Sequence, residues 1–264
     1  MADRYPAIAP DSLDSKQKQI HEQLSNEVLK YFNGAFIAQN PSNGALIGPY
    51  AHFLYLPQPV VNGYIVTAKA LALIPDFPLQ CREIAILAIG EYYGAPYELY
   101  SHVRVAKIVG LSDQQIDDIL DGRPPSNATE QELISWEIAR ALVGAGNLCK
   151  KGHLSDELWE RAESLFGKTG IGALIHYVGY YAYTSIILNG AAIQIPNGEE
   201  IKPPEDTHEW EDIDEKSKFK AKALKRKREF RKRKETRITK RYALIKPPHF
   251  VGARAMANAY ITKY

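Results

Sequence analysis

The stretch Gln80-Cys81-Arg82-Glu83-Ile84-Ala85-Ile86-Leu87 decides the fold, together with its continuation Tyr97-Glu98-Leu99-Tyr100-Ser101-His102-Val103-Arg104-Val105-Ala106 and the closing Gly110-Leu111-Ser112. Ile84, Leu87 and Ala88, continued by Glu91 and Tyr92, recur at the spacing of one helix face and predict a helix over 80–93. Gly94-Ala95-Pro96 ends that pattern and starts another, because proline suits the first helical position, where its missing N–H costs nothing. Leu99, Val103, Ala106 and Val109 carry this second helix to Gly110, a residue suited to a helix C-terminus.

Working outward, Ile20, Leu24, Val28 and Tyr31 mark a helix over about 15–32, and a further helical pattern runs from Leu56-Pro57 to about Leu73, closed by Pro75 and Pro78. Between them, Asn43-Gly44-Ala45-Leu46-Ile47-Gly48-Pro49-Tyr50 holds the glycines and proline that break periodic structure. Ser112-Asp113-Gln114-Gln115 and Thr129-Glu130-Gln131-Glu132 spell capping boxes before two further apolar patterns, Ile116, Ile119, Leu120 and Trp136, Ala139, Leu142. Ser155 caps a helix through Leu165, and 170–188 is a long apolar and aromatic helix ending at Asn189-Gly190. Hardly any segment alternates with a period of two, so the fold class is all-α.

At 264 residues and 45% hydrophobic content, the chain can bury a large core, and Cys81 and Cys149 are too few for a disulfide framework. No charged segment followed by an apolar run and cleavage site opens the chain, which points to a reducing, cytoplasmic setting. The apolar stretches 84–89 and 171–188 are short or interrupted by polar residues, against about 20 apolar residues for a membrane span, so no membrane partner is expected. The net charge of +2 hides an asymmetry: residues 1–215 carry 15 Lys/Arg against 29 Asp/Glu, and residues 216–264 carry 18 against 2. The expected organisation is therefore an N-terminal helical extension (1–42), a helical domain (43–196), an acidic linker (197–215) and a basic tail (216–264), disordered or a lone helix. The 16 Lys/Arg within 216–246 read either as a solvated run or as a polyanion contact or nuclear address.

The stretch quoted first resembles the signature of the carboxymuconolactone decarboxylase-like family, within the alkyl hydroperoxidase D superfamily, and the similarity extends from about Asn43 to Asn189. The resemblance implies an alkyl hydroperoxidase D-like helical bundle, here with a basic C-terminal extension, that assembles as a homo-oligomer, a trimer or hexamer, with sites near its interfaces. In the peroxidase branch of that superfamily a glutamate precedes a Cys-x-x-Cys pair, and a histidine lies four positions after the second cysteine. The matching positions here are Glu83, Ala95, Glu98 and His102. With an alanine and a carboxylate where the thiols belong, thiol peroxidase chemistry has neither attacking nor resolving sulfur at this site, and Cys81 has no neighbouring cysteine to restore the pair.

An acid–base set remains. Glu98 and His102, four residues apart, share a helix face. Placed in the first turn, Glu98 is expected to be ionised by the helix dipole and free N–H groups, a base or an orienting group. His102, with an ordinary pKa of about 6.5, is the expected proton mover, and Glu83 would orient the imidazole or relay its proton. The function implied is a cofactor-independent acid–base enzyme, a decarboxylase, isomerase or other lyase, acting on a small carbonyl, lactone or aromatic compound. The alternative is a non-catalytic scaffold or polyanion-binding protein acting through its tail. Tyr50, Tyr97, Tyr180 and His176 are candidates to line a substrate pocket, while these and Phe53, Tyr100, Tyr177, Tyr181 and His52 read equally as core. No second ligand pair accompanies Glu98 and His102, so no metal is expected; no glycine-rich phosphate loop follows a strand, so no organic cofactor is either. Arg104, two residues past His102, is expected on another helix face at the surface.

Overall fold

The computed structural model describes residues 4–32, 34–144 and 153–202. The side chains of residues 27–31, with Val28 and Tyr31 of the first expected stripe, lie outside the described residues, as do Cys149, the linker beyond Lys202 and the basic run 216–246.

The helix expected over 80–93 forms as Leu79–Tyr93, and its burial explains its place. Cys81 and every residue from Glu83 to Gly90 are buried. A helix apolar all round, rather than along one stripe, belongs at the centre of a bundle. Counting helices along the chain as α1 (Ser15–Phe32), α2 (Pro49–Phe53), α3 (Gln58–Ala72) and this central α4, the remainder are α5 (Pro96–Ile108), α6 (Asp113–Leu120), α7 (Glu130–Leu142) and α8 (Asp156–Ala191). α5, α6, α7 and α8 all pack against α4. Among the described residues extended pairing amounts to a single bridge, Gln39 with Leu46, so the chain is all-α.

Both capping boxes form. Ser112 accepts from the Gln115 N–H and Thr129 from the Glu132 N–H, each with the reciprocal side-chain bond, so α6 and α7 begin where the sequence places them. The two helices expected over 155–165 and 170–188 join into α8, with one non-helical residue at the join, Gly167. One window of α8 is long and apolar enough to cross a membrane, at a mean hydropathy of 1.3, and half of it is buried within the chain's own core.

The core has two main parts. Ile84, Leu87 and Ile89 of α4 meet Val103, Ile116, Ile134, Ile138, Ile171 and Leu174 in the first. In the second, Leu13, Ile20, Leu24 and Phe36 from the first 42 residues pack with Phe53, Ile65, Tyr97, Tyr100 and Leu188. The N-terminal segment thus shares its apolar surface with α3, α5 and α8.

Candidate active site

The turn between α4 and α5 assembles the site. Gly94 takes the left-handed conformation (φ 57°, ψ 48°), which a side chain would strain, Ala95 is extended, and Pro96 opens α5. The chain therefore doubles back on itself, and Glu83 meets His102, 19 positions further on. Glu83 is fully buried and Glu98 and His102 nearly so, at 4% and 5% exposure.

Glu83 holds two cations. Its Oε2 lies 2.7 Å from His102 Nδ1, and its Oε1 accepts from Arg82 Nε at 2.7 Å. Burial alone would push this carboxyl up, but Arg82 and His102 together hold it below the ordinary range, so it is an anion at neutral pH. Burial pulls His102 down in turn, and the charges of Glu83 and Glu98 outweigh that and raise it above 6.5. The imidazole is thus held at Nδ1 with its protonated form favoured.

Its other nitrogen, Nε2, lies 3.5 Å from Glu98 Oε1. That oxygen is buried and takes part in no hydrogen bond. Burial raises the Glu98 carboxyl to about 7, helped by the like charge of Glu83 and opposed by His102. The expectation of an ionised first-turn carboxylate is corrected here: Glu98 does stand in the first turn of α5, but desolvation outweighs the helix dipole, worth about 0.3–1 kcal/mol at an exposed site.

Glu83, Glu98 and His102 border a largely apolar cavity of about 140 Å³, walled by Leu24, Phe36, Phe53, Tyr64, Ile65 and Leu71 among others. Tyr50, Tyr97 and Tyr180 line it too, as do Arg82, Ser101 and Tyr181. Tyr181 stands edge-on to the His102 ring, with centroids 5.0 Å apart and an interplanar angle of 84°. Gly48, at φ 59°, lets α2 approach: a Cβ there would sit 2.3 Å from the Tyr97 ring. The two carboxylates address opposite nitrogens of one imidazole, so they do not converge on a common point, and no group of three or more metal-binding side chains occurs among the described residues.

Two sequence expectations are displaced. His176 is exposed and does not border the cavity; α8 turns its Tyr177, Tyr180, Tyr181 and Thr184 face inward, and His176, about 100° around the helix from Tyr177, points away. Arg104 is buried rather than on the surface, at 4% exposure. It donates to the Tyr100 and Ile201 carbonyls at 2.8 and 2.9 Å and to Glu199 Oε2 at 2.8 Å, and it lies 4.0 Å over the Tyr100 ring. Tyr64, Arg82 and Ser101 were not singled out from sequence. Arg82 beside Glu83 carried the one available signal, a cation next to a buried carboxylate. His52 is buried against Tyr5, with ring centroids 4.5 Å apart, outside the cavity lining.

No protein-family model matches the sequence, and no curated protein matches it. Among solved structures the fold is similar to that of an uncharacterized peroxidase-related protein from Ralstonia eutropha JMP134, described as an alkylhydroperoxidase AhpD core. The likeness has a TM-score of 0.55 and covers 74% of this chain and 92% of the other, at 12% identity. Identity this low speaks to architecture alone. The chain has an alkyl hydroperoxidase D-like all-α fold.

Proposed function

We propose that this protein is a cofactor-independent acid–base enzyme that moves a proton to or from carbon in a small cyclic carbonyl or lactone. The observation that carries the reading is the buried, unbonded Glu98 Oε1, 3.5 Å from an imidazole fixed on its far side by Glu83. A carboxyl poised at about 7 exchanges its proton most readily near neutral pH. The sequence reading made His102 the proton mover. Glu98 now takes that role, and His102, held by Glu83, supplies positive charge beside the developing enolate.

In the isomerase form of this chemistry a C–H bond next to a carbonyl breaks, the electron pair passes into an enolate, and the proton goes to Glu98 Oε1. It returns to a different carbon. In the decarboxylase form the bond to a carboxylate breaks, carbon dioxide leaves, and the carbanion takes its proton from Glu98. The peroxidase-related description of the similar structure suggests thiol chemistry as a rival. Ala95 and Glu98 argue against it here, as does Cys81, whose thiol burial pushes up to about 11, away from the reactive thiolate.

The test is hydrogen–deuterium exchange at carbon. A panel of small cyclic ketones and lactones in deuterated buffer, followed by NMR, is expected to show exchange above the buffer rate that Glu98→Gln abolishes. Exchange at the buffer rate across the panel, or full activity in Glu98→Gln, overturns the reading.

A further inference from the structure

The hydroxyls around the cavity fall into two groups. Most are committed to the protein: Tyr97 Oη donates to the Ile37 carbonyl at 3.0 Å, Tyr177 Oη to the Leu71 carbonyl at 2.6 Å and Tyr180 Oη to the Tyr64 carbonyl at 3.2 Å. Tyr64 Oη pairs with Thr184 Oγ1 at 3.1 Å, Thr184 donates to the Tyr180 carbonyl, and Ser101 donates to the carbonyls of Tyr97 and Glu98. Tyr50 and Tyr181 border the same space, yet neither hydroxyl bonds to any described residue.

A hydroxyl that borders an apolar cavity and bonds to nothing around it is left available to a polar group entering that space. Phenylalanine would fill either wall as well. The two rings come from different helices, α2 and α8, and both border the same cavity as Glu98. Burial also holds both phenols well above their ordinary pKa, so each remains a donor rather than a phenolate.

We propose that the Tyr50 and Tyr181 hydroxyls form an oxygen-binding subsite for a carbonyl or enol oxygen on a small planar ring. Size supports the ring: a dry cavity of about 150 Å³ in another protein takes up benzene, and this one is about 140 Å³. Resting on the acid–base reading, the subsite also explains why Glu98 keeps an unbonded oxygen. Glu98 borders the same cavity, so a ring anchored on the tyrosines shares that space with its carboxyl.

The subsite is tested by binding alone. Phenol and toluene, nearly equal in size and differing in the oxygen, are titrated into the full chain and followed by NMR. The unaltered protein is expected to prefer phenol. Tyr50→Phe and Tyr181→Phe should each weaken phenol about 3- to 10-fold and leave toluene within about 2-fold, while Tyr64→Phe, whose hydroxyl is already paired with Thr184, should leave the preference intact. Equal weakening of both ligands, no change for phenol, or no phenol preference at the outset overturns the subsite. Exchange at carbon plays no part in this readout. Loss of the subsite with exchange intact leaves the acid–base reading standing, and the converse removes that reading alone.

Discussion

Replacing Glu98 with glutamine should alter stability in a way that depends on pH, and the size follows from the burial of one carboxyl. The folded chain holds Glu98 at about 7, against an ordinary 4.5. A carboxyl raised on folding favours its neutral form, so its contribution to stability is fully present below about pH 4.5 and is lost as pH rises through about 7. Integrated from pH 5 to pH 8, the loss comes to roughly 2–3 kcal/mol. Glutamine does not titrate and does not suffer this loss, while any fixed cost of fitting its amide into the cavity cancels between the two pH values. Glu98→Gln should therefore gain roughly 2–3 kcal/mol on the unaltered protein between pH 5 and pH 8, or about 4–12 °C in relative melting temperature for a folded unit of this size. Urea unfolding of both proteins at unit steps of pH, read by circular dichroism, measures it. Parallel profiles, with a difference constant to within about 0.5 kcal/mol, would refute the claim that burial rather than the helix dipole governs Glu98.

Two further perturbations probe what holds the cluster in place. Glu83→Gln removes the anion that raises His102; the imidazole should titrate lower when followed by proton NMR, and stability should fall by about 3 kcal/mol at pH 6, because the buried carboxylate shared by Arg82 and His102 is lost. Gly48→Ala puts a methyl 2.3 Å from the Tyr97 ring at a positive φ; a loss of about 2 kcal/mol or more is expected in urea unfolding, and a neutral result would mean that α2 does not pack on α5 as described.

The fold was legible because its signals are local. The capping boxes at Ser112 and Thr129, the Gly94-Ala95-Pro96 turn and the helical spacings each depend on a handful of neighbouring residues, and each forms. The short helix α2 was hidden by the glycines around it. Its proline is a start rather than a break, standing at the first position after Gly48. Burial was harder to read than periodicity. The stripe Ile84, Leu87, Ala88 gave α4 one inner face, whereas the helix is enclosed by α5, α6, α7 and α8 and has almost none facing out. Arg104 was lost for the same reason. Its cation is neutralised by Glu199, 95 positions away, and no local pattern announces such a partner.

The site shows the same division between spacing and environment. Spacing was enough to put Glu98 and His102 on one face of α5, and the turn before Pro96 was enough to suggest Glu83 as their partner. Charge state was not legible, because it depends on walls contributed by distant segments: Phe36 and Phe53 before α4, Tyr64 on α3, Tyr180 and Tyr181 on α8. Those walls invert the roles that isolated pKa values assign. In water, glutamate is the anion and histidine the group near neutrality. In this cavity, Glu83 and Glu98 together raise His102, and Glu98, left without a hydrogen bond at Oε1, becomes the group whose proton is poised near pH 7. Two carboxylates on opposite sides of one imidazole thus differ in their bonding: Glu83 fixes the ring at Nδ1, while Glu98 stands 3.5 Å from Nε2 with no hydrogen bond at Oε1, the oxygen on which the proposed chemistry rests.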